Sequence, residues 1–147
     1  MSEADFDPVA DGWAPIPDKG FIAMVGPIWT KVAEGRRRFG LLAEPRHSNL
    51  VGVVQGGMVM TFADRSLGML AWDAAGVPVV TLAYEHQFIG PGRIGSFLEL
   101  EGEVVRITSS LVFLRGLVTS SSEPVASCQG TWKILRHKQG IDGAIFP

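Results

Sequence analysis

Two features of this chain have the chemistry of a reactive site. One is a run of amides and glycines, Asn49 and then Gln55-Gly56-Gly57; the other is a carboxylate, Asp64, seven residues beyond Gly57. Backbone N–H groups at the start of a helix are unpaired and carry partial positive charge. The two glycines leave room for a ligand atom to reach them, which makes an oxyanion-type site for a carbonyl. Asn49 and Gln55 add side-chain amides that donate hydrogen bonds without adding charge. Asp64 suits a nucleophile or a general base. It equally suits a structural ion pair, or a wet strip of helix, since a carboxylate among apolar residues needs a partner or water.

The element that must position these groups is a helix. From Gly57 to Ala75 almost every residue is apolar or a good helix former, interrupted by Asp64 and Arg65. Gly76 and Pro78 follow as stop signals. Such a pattern predicts a helix buried nearly all round, and too charged for a confident membrane span. Seven residues are about 10 Å along a helix axis. A carbonyl donor and a nucleophile must both lie about 3 Å from one reacting group. One subunit does not meet that condition easily. Two antiparallel helices across a dimer axis would, with Gly57 of one facing Asp64 of the other, so the spacing predicts a composite site at a dimer interface.

Around the helix the texture is that of strands. Ile28–Val32 and Arg37–Leu42 read as a pair joined by a turn at Glu34-Gly35. Val79–Ile89 reads as a long strand stopped by Gly90-Pro91-Gly92, followed by Phe97–Ile107, Leu111–Ser120 and Val125–Leu135. Leu98, Leu100 and Val104 alternate with Glu99, Glu101 and Glu103, a period of two. In the last strand Ala126, Cys128, Gly130, Trp132 and Ile134 share a face. Small residues there let a sheet approach a helix closely. The expected fold class is α+β, a curved antiparallel sheet wrapped around one long central helix. Its open edges imply at least a dimer.

The flanking segments say less. Residues 1–20 form an acidic, Pro-containing arm, extended or partly disordered, with Trp13 either docking it or sitting in a loose tail. Residues 21–147 are expected to be a single domain. Phe21–Val25 predicts a short helix capped by Asp18 and ended by Pro27. Arg36-Arg37-Arg38 reads plainly as a solvated strand start, or more sharply as a patch for a phosphorylated ligand. His47 reads as a loop residue and His86, on a strand, as a surface or packing residue, both outside any catalytic motif. Arg65 has two readings, a salt bridge or a ligand phosphate. Residues 136–147 show no pattern.

With 147 residues, 46% hydrophobic and 19% charged, the chain can bury a real core. A net charge of −2 argues against nucleic acid as a partner. The single cysteine, Cys128, excludes an internal disulfide framework and a Cys-rich zinc site. The acidic N-terminus lacks a secretion signal. The expectation is a cytoplasmic protein with no metal, no cofactor and no membrane partner.

These residues resemble the hotdog-fold acyl-CoA thioesterases, of the phenylacetate-pathway and related small thioesterase type. The family reads Asn, a few residues, Gly, two apolar residues, His-Gly-Gly, then an apolar helix with an acid nine residues after the His. Here the run is Asn49, Gly52, Val53-Val54, Gln55-Gly56-Gly57 and Asp64, continuing through Thr81, Phe88-Ile89-Gly90-Pro91 and the last strand, over residues 21–136. The resemblance implies a hotdog fold, dimers often paired into tetramers, and an acyl-CoA substrate. It assigns Asp64 as nucleophile or general base and the N–H of Gly56 or Gly57, helped by Asn49, as the carbonyl donor. Thr81 would orient the attacking water. Gln55 stands where the family has His, and can donate a hydrogen bond but cannot titrate. Two other functions remain in view. One is a non-catalytic acyl-CoA or acyl-chain binding module. The other is a hydratase, weakened by the lack of an Asp-x-Asn-Pro-x-His segment. Met58, Met60, Phe62 and Trp72 fit an apolar acyl pocket or simple core packing.

Overall fold

The computed structural model describes residues 6–136. Its longest helix, α2 (Gly56–Ala75), starts one residue earlier than the sequence implies and uses Gln55 as its cap. Gly76 ends it in the left-handed region at φ 72°, where a side chain would be strained, and its N–H bonds the Trp72 carbonyl. Met58, Val59, Phe62, Ala63, Ser66, Leu67 and Ala71 are buried. Their i, i+3, i+4 spacing marks one stripe. The opposite side, with Gly57, Met60, Thr61 and Asp64, is half-buried or exposed. The expectation of burial all round is therefore corrected. Met60 is exposed on that side, whereas Met69 and Leu70, also off the stripe, are half-buried and pack against the core.

That sheet has seven antiparallel strands: β1 (Ala14–Pro15), β2 (Trp29–Ala33), β3 (Arg36–Leu42), β4 (Val79–Phe88), β5 (Phe97–Ile107), β6 (Leu111–Ser120) and β7 (Glu123–Ile134). Their spatial order is β1-β2-β3-β5-β6-β7-β4. All strands from β3 to β7 contact α2, so the sheet curves around it. The core is the α2 stripe against Phe39, Leu41, Leu98, Leu100, Val112, Leu114, Val118, Ala126, Cys128 and Trp132. The expected inner face of the last strand is the observed one. Val104 keeps the face of Leu98 and Leu100, because the register runs unbroken as far as Val104. It is nevertheless exposed, and a bulge between Val104 and Arg106 breaks the alternation only beyond it. No helix among the described residues is long and apolar enough to cross a membrane.

The described part of the N-terminal arm, residues 6–20, is docked. Trp13 is only 4% exposed and packs edge-on against Phe97, and β1 pairs with β2. Asp18 does not cap α1 (Phe21–Val25), whose cap is Gly20. It reaches Arg65 of α2 at 2.8 Å instead, which removes Arg65 from the list of free cations. A half-buried guanidinium is stabilised by such a partner. Of the arginine run, Arg37 pairs with Asp73 and Arg38 with Glu101, so the plainer reading fits those two. Residues 137–147, the bulk of the patternless tail, lie outside the described residues.

Candidate active site

The entrance to α2 is built from side-chain and backbone amides. Gln55 Oε1 accepts the Met58 N–H at 2.9 Å. Its carbonyl is thereby committed, and its Nε2 amide remains a donor. A Cβ at Gly57 would lie 2.8 Å from Gln55 Oε1, so the glycine is what lets this cap fold back over the helix. A Cβ at Gly56 would lie 3.0 Å from the Phe88 ring, which covers the entrance from β4. The N–H groups of Gly56 and Gly57 have no acceptor among the described residues, as expected of a first helical turn. Asn49 acts one step back. Its Oδ1 accepts the N–H groups of Val51 and Val53 at 3.0 and 3.2 Å, an Asx turn that shapes the loop into the helix.

Asp64 stands two turns further along, on the half-buried side. Thr81 Oγ1 donates to Asp64 Oδ1 at 2.7 Å, joining the two residues expected to act together. Burial raises the Asp64 carboxyl above the usual aspartate range, and the Thr81 hydrogen bond and the Arg65 charge partly offset it. Gly57 and Asp64 differ by about 20° around the helix, nearly two full turns, so they share a stripe. They remain about 10 Å apart along it.

Thr81 faces the helix only because β4 is irregular. Thr81, Tyr84, His86 and Phe88 stand opposite Trp132, Gly130, Cys128 and Ala126 of β7, and the register slips between Thr81 and Ala83. Without that bulge, strict alternation would turn Thr81 away from Tyr84. The result is one row on the helix side of β4, running from Asp64's partner to the cover of Gly56. Sequence reasoning missed its two central members. The Tyr84 hydroxyl lies 2.6 Å from His86 Nδ1, and the His86 ring packs against Phe88 at a tilt of 54°, with centroids 4.3 Å apart. Burial and the neighbouring Cys128 and Asp64 push the Tyr84 phenol up, so it keeps its proton. Burial pushes the His86 imidazole down.

His47, by contrast, is 4% exposed with both nitrogens occupied. Nδ1 accepts the Glu44 N–H at 3.0 Å, so Nε2 carries the proton donated to the Val25 carbonyl at 2.6 Å. It ties the loop before Asn49 to α1, as its plainer reading expected.

The match to known proteins follows this layout. The thioesterase superfamily model matches residues 51–127, from the loop before α2 into β7, and the chain belongs to that family. A Pseudomonas aeruginosa protein named "putative esterase" is 26% identical over 130 residues, 86% of this chain and 97% of the relative. Among solved structures, a mutant form of the phenylacetic acid degradation protein PaaI from Thermus thermophilus is 25% identical. It covers 78% of this chain and 98% of its own at a TM-score of 0.69. A Bacillus halodurans protein solved with CoA superposes at a TM-score of 0.72, with 24% identity, over 82% of each chain. The fold is the hotdog fold of these thioesterases.

Proposed function

We propose that the protein hydrolyses an acyl-CoA or aryl-CoA thioester to the free acid and CoA, in a site shared between two copies of the chain. The observation that carries this reading is the stripe on α2. It holds two N–H groups, at Gly56 and Gly57, without an acceptor among the described residues and, two turns on, a desolvated carboxylate fixed by Thr81. The N–H of Gly57, with the Gln55 Nε2 amide beside it, would polarise the thioester carbonyl. Asp64 of the second copy would act as nucleophile or general base. Desolvation strengthens both parts, because charges interact more strongly away from water.

Edge strand β4 supports the second copy. Among the described residues it is the outermost strand on its side of the sheet, ten residues long, with Val80, Leu82, Phe88 and neighbouring Ile89 all exposed. A long, apolar edge of this kind pairs readily with another strand. The loop residues Leu50 and Val51, shortly before the helix entrance, are exposed as well. CoA in the Bacillus halodurans structure and the esterase name of the curated relative favour an acyl-CoA substrate.

The test is a panel of short, long and aromatic acyl-CoAs assayed by trapping the released thiol. Turnover of at least one class is expected. Saturable binding without thiol release would make the protein a binding module instead. Sharing of the site is tested by mixing Asp64→Asn with Gly57→Val. Each alone should be inactive, and after co-refolding about a quarter of wild-type activity should return, from mixed dimers with one intact site. No recovery would place the site within one chain.

A further inference from the structure

The cation next to the reactive carboxylate is held by a part of the chain that the site does not otherwise use. Arg65 directly follows Asp64 on α2. Its Nε and Nη2 both donate to Asp18 Oδ1, at 3.2 and 2.8 Å. The Arg65 and Asp18 side chains are only 18% and 10% exposed, so water screens the pair only in part. None of the ion pairs among the described residues involves Asp64. Asp18 Oδ2 is buried without a hydrogen-bond partner among the described residues, so Arg65 is what offsets the Asp18 charge. The backbone around Asp18 is fixed. Ile16, two residues earlier, is buried in the core, its N–H donates to the Ile28 carbonyl at 2.8 Å, and Trp13 packs on Phe97. The pair therefore ties the N-terminal arm, outside residues 51–127, to the middle of the helix inside them.

We infer that Asp18 is a positioning residue for the reaction: it holds the Arg65 guanidinium off Asp64 and cancels its charge, which keeps the Asp64 carboxylate free to act. The inference rests on the thioesterase reading above, in which Asp64 is nucleophile or general base. The helix supplies the geometry. Successive residues diverge by about 100° around its axis. Asp64 can thus face the seam between α2 and β4, where Thr81 meets it, while Arg65 faces the arm. The long, flexible arginine stem would turn back to the neighbouring carboxylate if nothing else claimed it. A carboxylate in such a pair is a poorer base and nucleophile, because the cation stabilises its charge. Asp18 takes that place with a carboxylate that has no part in the chemistry.

The groups around Asp64 leave Arg65 and Asp18 as the charges that decide its ionisation. β4 brings Tyr84 and His86, and β7 brings Cys128 opposite His86. Burial keeps the proton on the Tyr84 phenol and the Cys128 thiol, and favours the neutral His86 imidazole. These groups are common to every variant below and cancel from the comparison. Burial raises the Asp64 carboxyl, and the Thr81 hydrogen bond and the Arg65 charge pull it back. Without Asp18 the pull of Arg65 is uncompensated. Asp64 then ionises at lower pH, so turnover persists to lower pH but with a lower plateau.

The experiment follows the Asp64 carboxyl by carbon NMR in substrate-free protein, and kcat and KM in thiol release, with folding checked by circular dichroism. The Asp64 resonance is the one lost in Asp64→Asn. In Asp18→Asn its titration should move down by about one pH unit. Plateau kcat should be about three- to tenfold lower, with KM little changed. Arg65→Gln should move the titration up, because a cation is lost and the Asp18 charge remains. Asp18→Asn combined with Arg65→Gln should return it to the wild-type value or above, and recover most of kcat. A folded Asp18→Asn whose Asp64 titration is unmoved or raised overturns the inference. So does a double variant that stays as low as Asp18→Asn. Should Asp18→Asn not fold, Arg65→Gln decides, and an unmoved or lowered titration there overturns the inference. Asp64→Asn separates the two readings. If it is inactive and the Asp18→Asn titration is unmoved, only the part given to Asp18 falls. If it stays active, the site reading falls, and Asp18 has no reaction to serve.

Discussion

The two sides of α2 use the same twenty residues for opposite purposes. On the sheet-facing stripe, Phe62, Ala63 and Leu67 are fully buried and interlock with β3, β5 and β6. On the seam side, Gly57, Thr61 and Asp64 are small or polar and leave backbone and carboxylate accessible. The contrast teaches where free energy goes. The first stripe supplies stability by removing apolar surface from water. The second gives some of it up, since a carboxylate held where it is harder to ionise costs stability when it is charged. Natural sites often carry this trade.

If the division is real, substitutions on the two sides should separate turnover from stability. The largest effect on turnover is expected from Asp64→Asn, a loss of at least about 1,000-fold. The same variant should be as stable as wild type or more so. The folded-state pKa of Asp64 is raised, so its contribution favours folding below the unfolded pKa and is lost as pH rises through the folded value. Asparagine removes the charging cost above that pH. A melting temperature clearly lowered at pH 8 would mean that Asp64 is structural. Next comes the edge. Val80→Lys with Leu82→Lys should yield monomers in sedimentation and lose most activity, by about 10- to 100-fold, because like charges on facing strands repel. Active monomers would break the shared-site reading.

Thr81→Val should cost about tenfold, the worth of one hydrogen bond to a charged group. It should also move the acidic limb of Asp64 to higher pH, because the Thr81 hydroxyl favours the ionised form. An unmoved limb would detach Thr81 from the reaction. Leu67→Ala should have the smallest effect on turnover per folded molecule. Its stability loss should be about 2–5 kcal/mol, read by denaturant unfolding, since the side chain is wholly buried. A large fall in kcat there would show that the two stripes are not separable.

Much of this was legible from residues close in sequence. The limits of α2, its glycine entrance and its acid are all local signals, as are the period-two strands β5 and β7. Arg65 and Asp18 are 47 residues apart, and nothing local announces that they pair. The same holds for His86. Tyr84, His86 and Phe88 alternate plainly, yet alternation does not say which face meets the helix. The β4 bulge hid the link between that row and Thr81.

The sequence by itself determined the period of each element, the stops between them, and the placement of amide donors ahead of an acid on one helix. Those depend on backbone propensity and on neighbours within a few residues. Tertiary structure alone decided which side of α2 stayed open, which strand became the bare edge, and which carboxylate met Arg65. Each of those outcomes depends on what packs opposite a residue, and that partner is supplied by a distant part of the chain.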